Sequence, residues 1–81
     1  MANISIFGIS NMFNINNYSF WIQYSLEDEE YIAFVYEFPS ITGSENTPEE
    51  ALKEVQSVLP VAINICEREN LQIPKAQTMT N

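Results

Sequence analysis

The chain has 81 residues, 46% of them hydrophobic and 12% aromatic, a composition that predicts one small globular domain. Eleven acidic residues stand against three basic ones, and the resulting net charge of −8 argues against attraction to nucleic acid and favours a basic protein partner. With no histidine and one cysteine, Cys66, the chain excludes the usual zinc sites, an intramolecular disulfide and histidine general-base catalysis.

Residues 1–17 read as an N-terminal extension of the domain. Residues 4–9 fit a possible short strand, with a mobile terminus as the alternative, and the asparagine-rich residues 11–17 predict a loop. No basic region precedes the apolar residues, and no apolar run approaches the ~20 residues that a membrane span requires. We therefore expect a cytoplasmic protein with no membrane partner.

Alternating apolar residues predict two strands, over residues 18–26 and 31–38. The polar residues 27–30 between them have the length of a hairpin turn. Pro39 is expected to end the second strand or mark an edge, and residues 40–45 can hold a short third strand. The pattern predicts an antiparallel hairpin or meander.

The same alternation divides the sheet into two faces. We expect one face to pack against a following helix, and it carries Phe20, Ile22, Phe34 and Phe38. The other face carries Trp21, Tyr31, Ala33 and Val35. These four residues are uncovered unless the N-terminal extension folds over them. Exposed apolar patches with aromatic residues usually mark association, so we interpret this face as a partner or dimer interface.

The acidic turn offers an electrostatic contact for a basic protein, through Glu27, Asp28, Glu29 and Glu30. A solvated hairpin tip is the alternative. A metal site is disfavoured because hard cations need oxygen ligands that converge, whereas consecutive turn residues diverge. Cys66 has no neighbouring base and reads as a buried small hydrophobe. We expect no catalytic residue, no metal and no cofactor, and so no enzyme.

The clearest local signal is a helix start at residues 47–50. Thr47 fits the N-cap, Pro48 the first helical position, and Glu50 the reciprocal side of a capping box. An apolar stripe follows at steps of three and four residues: Leu52, Val55, Leu59, Ala62 and Cys66.

Pro60 interrupts this stripe without changing its phase. We expect one kinked helix from residue 48 to about residue 69, with two abutting helices as the alternative. Asn70 is a plausible stop. The sequence therefore predicts an α+β domain in β-β-β-α order, with a small antiparallel sheet of about three strands and one helix on one face. It spans residues 18–74, and residues 75–81 form a polar C-terminal tail.

The order of these parts resembles the HicB-like antitoxin family. The resemblance lies in an aromatic strand, an acidic turn, the segment Tyr-Ile-Ala-Phe-Val-Tyr-Glu-Phe-Pro at 31–39, the helix start Thr-Pro-Glu-Glu-Ala-Leu at 47–52, and Leu-Gln-Ile-Pro at 71–74. Three positions depart from the family pattern. Ser40 and Glu45 stand where glycines are usual, and Pro60 is atypical.

The resemblance implies a partial RNase H-like fold that neutralises a small basic ribonuclease toxin of the HicA type by covering its active surface. Family members that repress transcription carry a further DNA-binding module, which these 81 residues do not include, so no direct nucleic acid binding is expected. A homodimer or higher homo-oligomer is expected, because so small a domain has a thin core. The alternative is an orphan oligomeric structural module with no toxin partner.

Overall fold

The computed structural model describes residues 14–79 and shows the predicted α+β order. Three antiparallel strands form one sheet in the order β1-β2-β3, followed by one helix, α1. Their bounds are β1 Phe20–Ser25, β2 Glu30–Val35, β3 Phe38–Glu45 and α1 Pro48–Arg68, and a 3-10 turn, Ile15–Asn17, precedes β1. The strand predicted within residues 4–9 lies outside the described residues.

The second strand is shorter than predicted because the chain turns before residue 38. Tyr36 and Glu37 form the turn between β2 and β3, and the Tyr36 N–H donates to the Ser19 carbonyl at 2.9 Å. Pro39 does not end a strand but lies inside β3. β3 is an edge strand of the described sheet, where a missing N–H need not interrupt a ladder.

The strand register assigns the two faces differently from the prediction. Trp21 pairs with Phe34, and Ile22 pairs with Ala33. Because directly paired residues project on the same side, Ala33 and Val35 lie on the helix side, and both are 0% exposed. The prediction that Phe34 faces the helix while Ala33 and Val35 lie opposite is therefore wrong.

Small residues explain which side α1 covers. Ala33 pairs with Gly43, and Ala51 of α1 lies above them, fully buried. A Cβ atom built on Gly43 would lie 3.0 Å from the Glu54 Cβ and 3.2 Å from the Ala51 carbonyl oxygen. The helix backbone can come this close only where side chains are absent or minimal. β2 is apolar on both sides, so alternation alone could not select the covered face.

A register shift brings two large residues of β3 into the core. Val35 pairs with Phe38, whereas the preceding Phe34 pairs with Thr42, so β3 is irregular across the residues between. Phe38 and Ile41 consequently both lie buried. The full core consists of Tyr18, Ala33, Val35, Phe38, Ile41, Ala51, Val55, Leu59 and Ile63.

At the start of α1, one of the two predicted capping hydrogen bonds is present and the other is replaced. The Thr47 Oγ1 accepts from the Glu50 N–H at 3.2 Å, and Pro48 occupies the first helical position. The reciprocal contact differs, since the Thr47 hydroxyl donates to the Glu50 Oε1 at 3.0 Å. Glu49 and Glu50 also place negative charge at the positive end of the helix dipole.

The helix continues through Pro60 to Arg68 as one element, so the two-helix alternative does not hold. Pro60 is on the exposed side. Asn70 ends the helix in the left-handed region with φ of 58°, and the Leu71 N–H donates to the Cys66 carbonyl at 2.8 Å. Asparagine tolerates this conformation better than most residues, which explains its position at the stop.

Residues 74–77 return to the sheet, and we call them the C-terminal latch. The Tyr18 hydroxyl donates to the Pro74 carbonyl at 2.5 Å, and the Gln77 N–H donates to the Glu37 carboxylate at 2.6 Å. Ile73 and Ala76 pack against the core. The segment predicted as a polar tail from residue 75 thus begins with residues that are part of the packed domain.

The carboxylate of Glu37 holds the latch to the first strand. It is buried, and it also accepts from the Ser19 N–H at 3.0 Å and from the Ser19 hydroxyl at 3.1 Å. Burial alone would raise the pKa of Glu37, but the hydrogen bonds from Gln77 and Ser19 outweigh it and lower the pKa below its ordinary value. Burial, helped by the charges of Glu37 and Cys66, raises the pKa of Tyr18, so its hydroxyl stays a donor.

Glu37→Gln should destabilise the domain at pH 7 by about 1–3 kcal/mol, because hydrogen bonds to a charged acceptor are lost. A lowered folded-state pKa means that this stabilisation exists above the unfolded-state pKa and disappears as the pH falls through the folded value. Urea unfolding at pH 7 and at pH values below the ordinary 4.5 measures the difference. Glu27→Gln, in the exposed turn, is the control, and an equal loss from both variants would contradict the latch.

Gly43→Val should destabilise the domain by about 1–3 kcal/mol, because its side chain would press against α1. Ser44→Val is the matched control, since Ser44 is the next residue of β3 and is exposed on the opposite face. Thermal or urea unfolding of the two variants compares the two faces of the sheet. A Gly43→Val domain as stable as the control would show that α1 does not pack closely there.

Candidate protein-binding surface

The sheet face opposite α1 is the candidate site, and we call it the open face. Its central part consists of Trp21, Gln23, Ile32, Phe34, Thr42 and Ser44, and the pair Ser25 and Glu30 lies at its edge beside the acidic turn. Within residues 14–79, α1 is the element that covers the sheet, and it does so on the other side. The centre of the open face therefore presents apolar and uncharged polar groups of all three strands together.

A stacked aromatic pair forms the apolar centre of this face. The rings of Trp21 and Phe34 lie with centroids 4.9 Å apart and planes 14° apart. Trp21 is 43% exposed, although tryptophan is one of the largest apolar side chains. Stacking fixes both rings on the rigid strands β1 and β2, so little conformational freedom remains to be lost when another protein covers them.

The structure leaves only one of the four predicted interface residues, Trp21, on the open face. Ala33 and Val35 are fully buried beneath α1 and cannot contact another protein. Tyr31 also lies on the helix side, where it packs edge-to-face on Tyr24 with centroids 4.9 Å apart. The prediction that these three residues lie on the uncovered face is wrong, because the odd-numbered residues of β2 face the helix and the even-numbered ones face away from it. Phe34 takes their place.

The acidic turn joins β1 and β2 at one end of the sheet. Glu27, Asp28 and Glu29 are exposed there, and the Asp28 N–H donates to the Ser25 hydroxyl at 3.1 Å. Glu29 has a left-handed φ of 54°. Glu30 is not part of the turn, since it is half-buried at the start of β2. The predicted electrostatic contact therefore has three freely exposed carboxylates, with Glu30 at its base.

The antiparallel topology gathers further carboxylates at this end of the domain. β3 ends beside the start of β2, because Glu45 pairs with Tyr31, and α1 begins immediately afterwards. We call the resulting cluster the acidic end: Glu27, Asp28, Glu29, Glu30, Glu45, Glu49, Glu50 and Glu54. These are eight of the eleven acidic residues of the chain, so the negative charge is strongly polarised along the strands.

Mutual repulsion at the acidic end is visible at Glu45. A hydrogen bond with the Glu54 side chain, together with the negative charges of Glu54, Glu50 and Glu30, raises the pKa of Glu45. The Glu54 Oε1 is buried and has no fixed donor in contact with it. Protonation of Glu45 removes one of these opposed charges and supplies a donor toward Glu54, so it favours the folded arrangement.

Glu45→Gln should raise the melting temperature at pH 7, because the amide removes one charge and supplies a permanent donor. A raised folded-state pKa gives stability that is present below the unfolded-state pKa and lost as the pH rises through the folded value. The gain should therefore vanish at pH values below the ordinary 4.5. Glu49→Gln is the control, because Glu49 is not one of the groups that raise the pKa of Glu45 and its charge is favourable at the helix start. It should lower stability slightly, and a gain in both variants would contradict the pairing.

The described residues contain no group of three His, Cys, Asp or Glu side chains arranged to hold a metal ion. Over the same residues, α1 is not apolar enough over its length to cross a membrane. Cys66 is a half-buried free thiol on the helix stripe. Comparison of the chain with protein-family models, with curated proteins and with solved structures gives no significant match.

Proposed function

We propose that this chain is a protein-binding domain of the HicB-like antitoxin type, which binds a small basic ribonuclease toxin of the HicA type and masks its active surface. The observation that carries the proposal is the Trp21–Phe34 stack on an open sheet face, with the acidic end at the other end of the same two strands. The ordered sequence resemblance supplies the class of partner. The chain acts by contact and contributes no chemical step.

The two parts of the surface have different tasks in this proposal. The aromatic pair is a rigid apolar anchor, and large aromatic side chains of this kind supply most of the binding energy in protein interfaces. The acidic end attracts a basic protein over a distance and orients it, which mainly increases the association rate. A net charge of −8 makes that attraction strong at low ionic strength.

Trp21→Ala should weaken binding to the toxin by about thirtyfold or more, which corresponds to the loss of a central anchor of about 2 kcal/mol. The test co-expresses the chain with the product of its neighbouring gene if that gene encodes a small basic ribonuclease, with co-purification and protection from growth arrest as the readouts. Tyr24→Ala is the control, because Tyr24 is an aromatic residue of the same strand that is 49% exposed and lies on the helix side of the sheet, where it packs against Tyr31.

The acidic end is tested by changing Glu27, Asp28 and Glu29 together to glutamine. Association should slow severalfold and lose much of its salt dependence, while dissociation should change little. Unmodified chain that gives neither a complex nor protection would contradict the antitoxin proposal. Equal losses from Trp21→Ala and Tyr24→Ala would contradict the assignment of the open face.

The second candidate is the orphan oligomeric module, which binds copies of itself and no toxin. An exposed apolar strip on α1, formed by Val58, Val61 and Ile65, favours self-association. Self-association alone does not separate the two candidates, because an antitoxin can also form dimers. A neighbouring gene that encodes no small basic ribonuclease would favour the orphan module.

A further inference from the structure

One flank of α1 carries a second apolar surface, distinct from the open face. Val58, Val61 and Ile65 are 41%, 55% and 42% exposed. Their spacing of three and four residues places the three branched side chains in one line along the helix. We call these three residues the helix strip.

The helix strip lies in a segment that has no charged side chains. Residues 55–66 contain no charged side chain, although the chain carries eleven acidic residues, and the nearest carboxylates are Glu54 and Glu67 at its two ends. Two copies of a protein with net charge −8 repel each other. They meet least repulsion where both surfaces are neutral and apolar, and the helix strip meets that condition.

We infer that the helix strip is the surface on which a second copy of this chain docks. In a two-fold arrangement of antiparallel helices, Val58 of one protomer lies opposite Ile65 of the partner subunit, and Val61 lies beside the axis. Facing helices at the usual separation interlock side chains with this spacing. The inference does not rest on the antitoxin proposal, and it leaves both open faces pointing outward.

Charge also distinguishes a second copy from other occupants. A basic protein is attracted to the acidic end, and the neutral strip offers it no complementary charge. A helix that lies on an anionic membrane surface usually has lysine and arginine along its polar face, whereas carboxylates of Glu54 and Glu67 bracket this strip. The occupant that fits a neutral strip on an acidic protein is the same strip on another copy.

Sedimentation of the full chain over a concentration series tests the inference. The unmodified chain should reach twice its 9.3 kDa mass, and Val61→Glu should raise the dissociation constant of the dimer at least about tenfold, because two charges would face each other at the axis. Leu26→Glu is the control, since it adds the same charge at a side chain that is 86% exposed in the β1–β2 turn. Circular dichroism should show that both variants stay folded.

Ionic strength provides an independent signature. Added salt screens the repulsion between two acidic copies, so the dimer should become tighter, whereas binding of a basic protein should become weaker. A chain that stays monomeric at all concentrations and salt levels would overturn the inference. A dimer equally weakened by Val61→Glu and by Leu26→Glu would overturn it as well.

Cross-linking locates the contact directly. In a Cys66→Ser background, Val61→Cys should form a disulfide-linked dimer on mild oxidation, because residues beside a two-fold axis of packed helices come within disulfide range. Leu26→Cys in the same background should not. A dimer that is cross-linked through position 26 and not through position 61 would place the interface elsewhere and overturn the inference.

Discussion

The position of α1 depends on a close approach between backbones that three small residues permit. Ala33 and Gly43 leave the middle of the sheet almost without side chains, and Ala51 lets the first turns of the helix lie against it. Once the helix lies there, the residues on its inner side fill the space beyond, with Val55 and Leu59 fully buried. The opposite side of the sheet is then left with its larger aromatic pair, and this assignment of faces determines which residues another protein can reach.

The topology that follows from this packing also separates charge from apolar surface. An up-and-down sheet followed by one helix brings the β1–β2 turn and the start of α1 to the same end. Most carboxylates therefore lie together, and Glu45 shows the electrostatic cost of that arrangement. The neutral middle of α1 and the centre of the open face lie away from this end. The domain thus has an acidic surface and two apolar surfaces, each on a different side.

Local signals in the sequence are sufficient to predict where the strands and the helix lie. They are not sufficient to predict which residues of β2 face the helix. The Thr47 cap, the stop at Asn70 and the alternation in β1 each rest on neighbouring residues, and the structure shows all three. β2 is apolar on both sides, so its orientation is decided by the residues that face it across the fold. The large aromatic residues of β2 suggest the wrong side for the helix. The signal that identifies the covered side is the set of small residues Ala33, Gly43 and Ala51, which let the helix approach the sheet.

The acidic end and the C-terminal latch could not be read from local patterns either. Both depend on residues far apart in the chain that the fold brings together. Glu37 is an example, since a lone carboxylate after an apolar strand gives no indication that the Gln77 N–H, 40 residues later, donates to it.

The latch has a consequence for the order in which the domain is completed. Tyr18 and Pro74 are separated by 56 residues, so their hydrogen bond forms after nearly all of the described chain has left the ribosome. Until then, the hairpin and the helix can associate while the Glu37 carboxylate still lacks one of its donors. Emergence of residues 74–77 from the ribosome, and not formation of the sheet, is therefore the event that closes this domain.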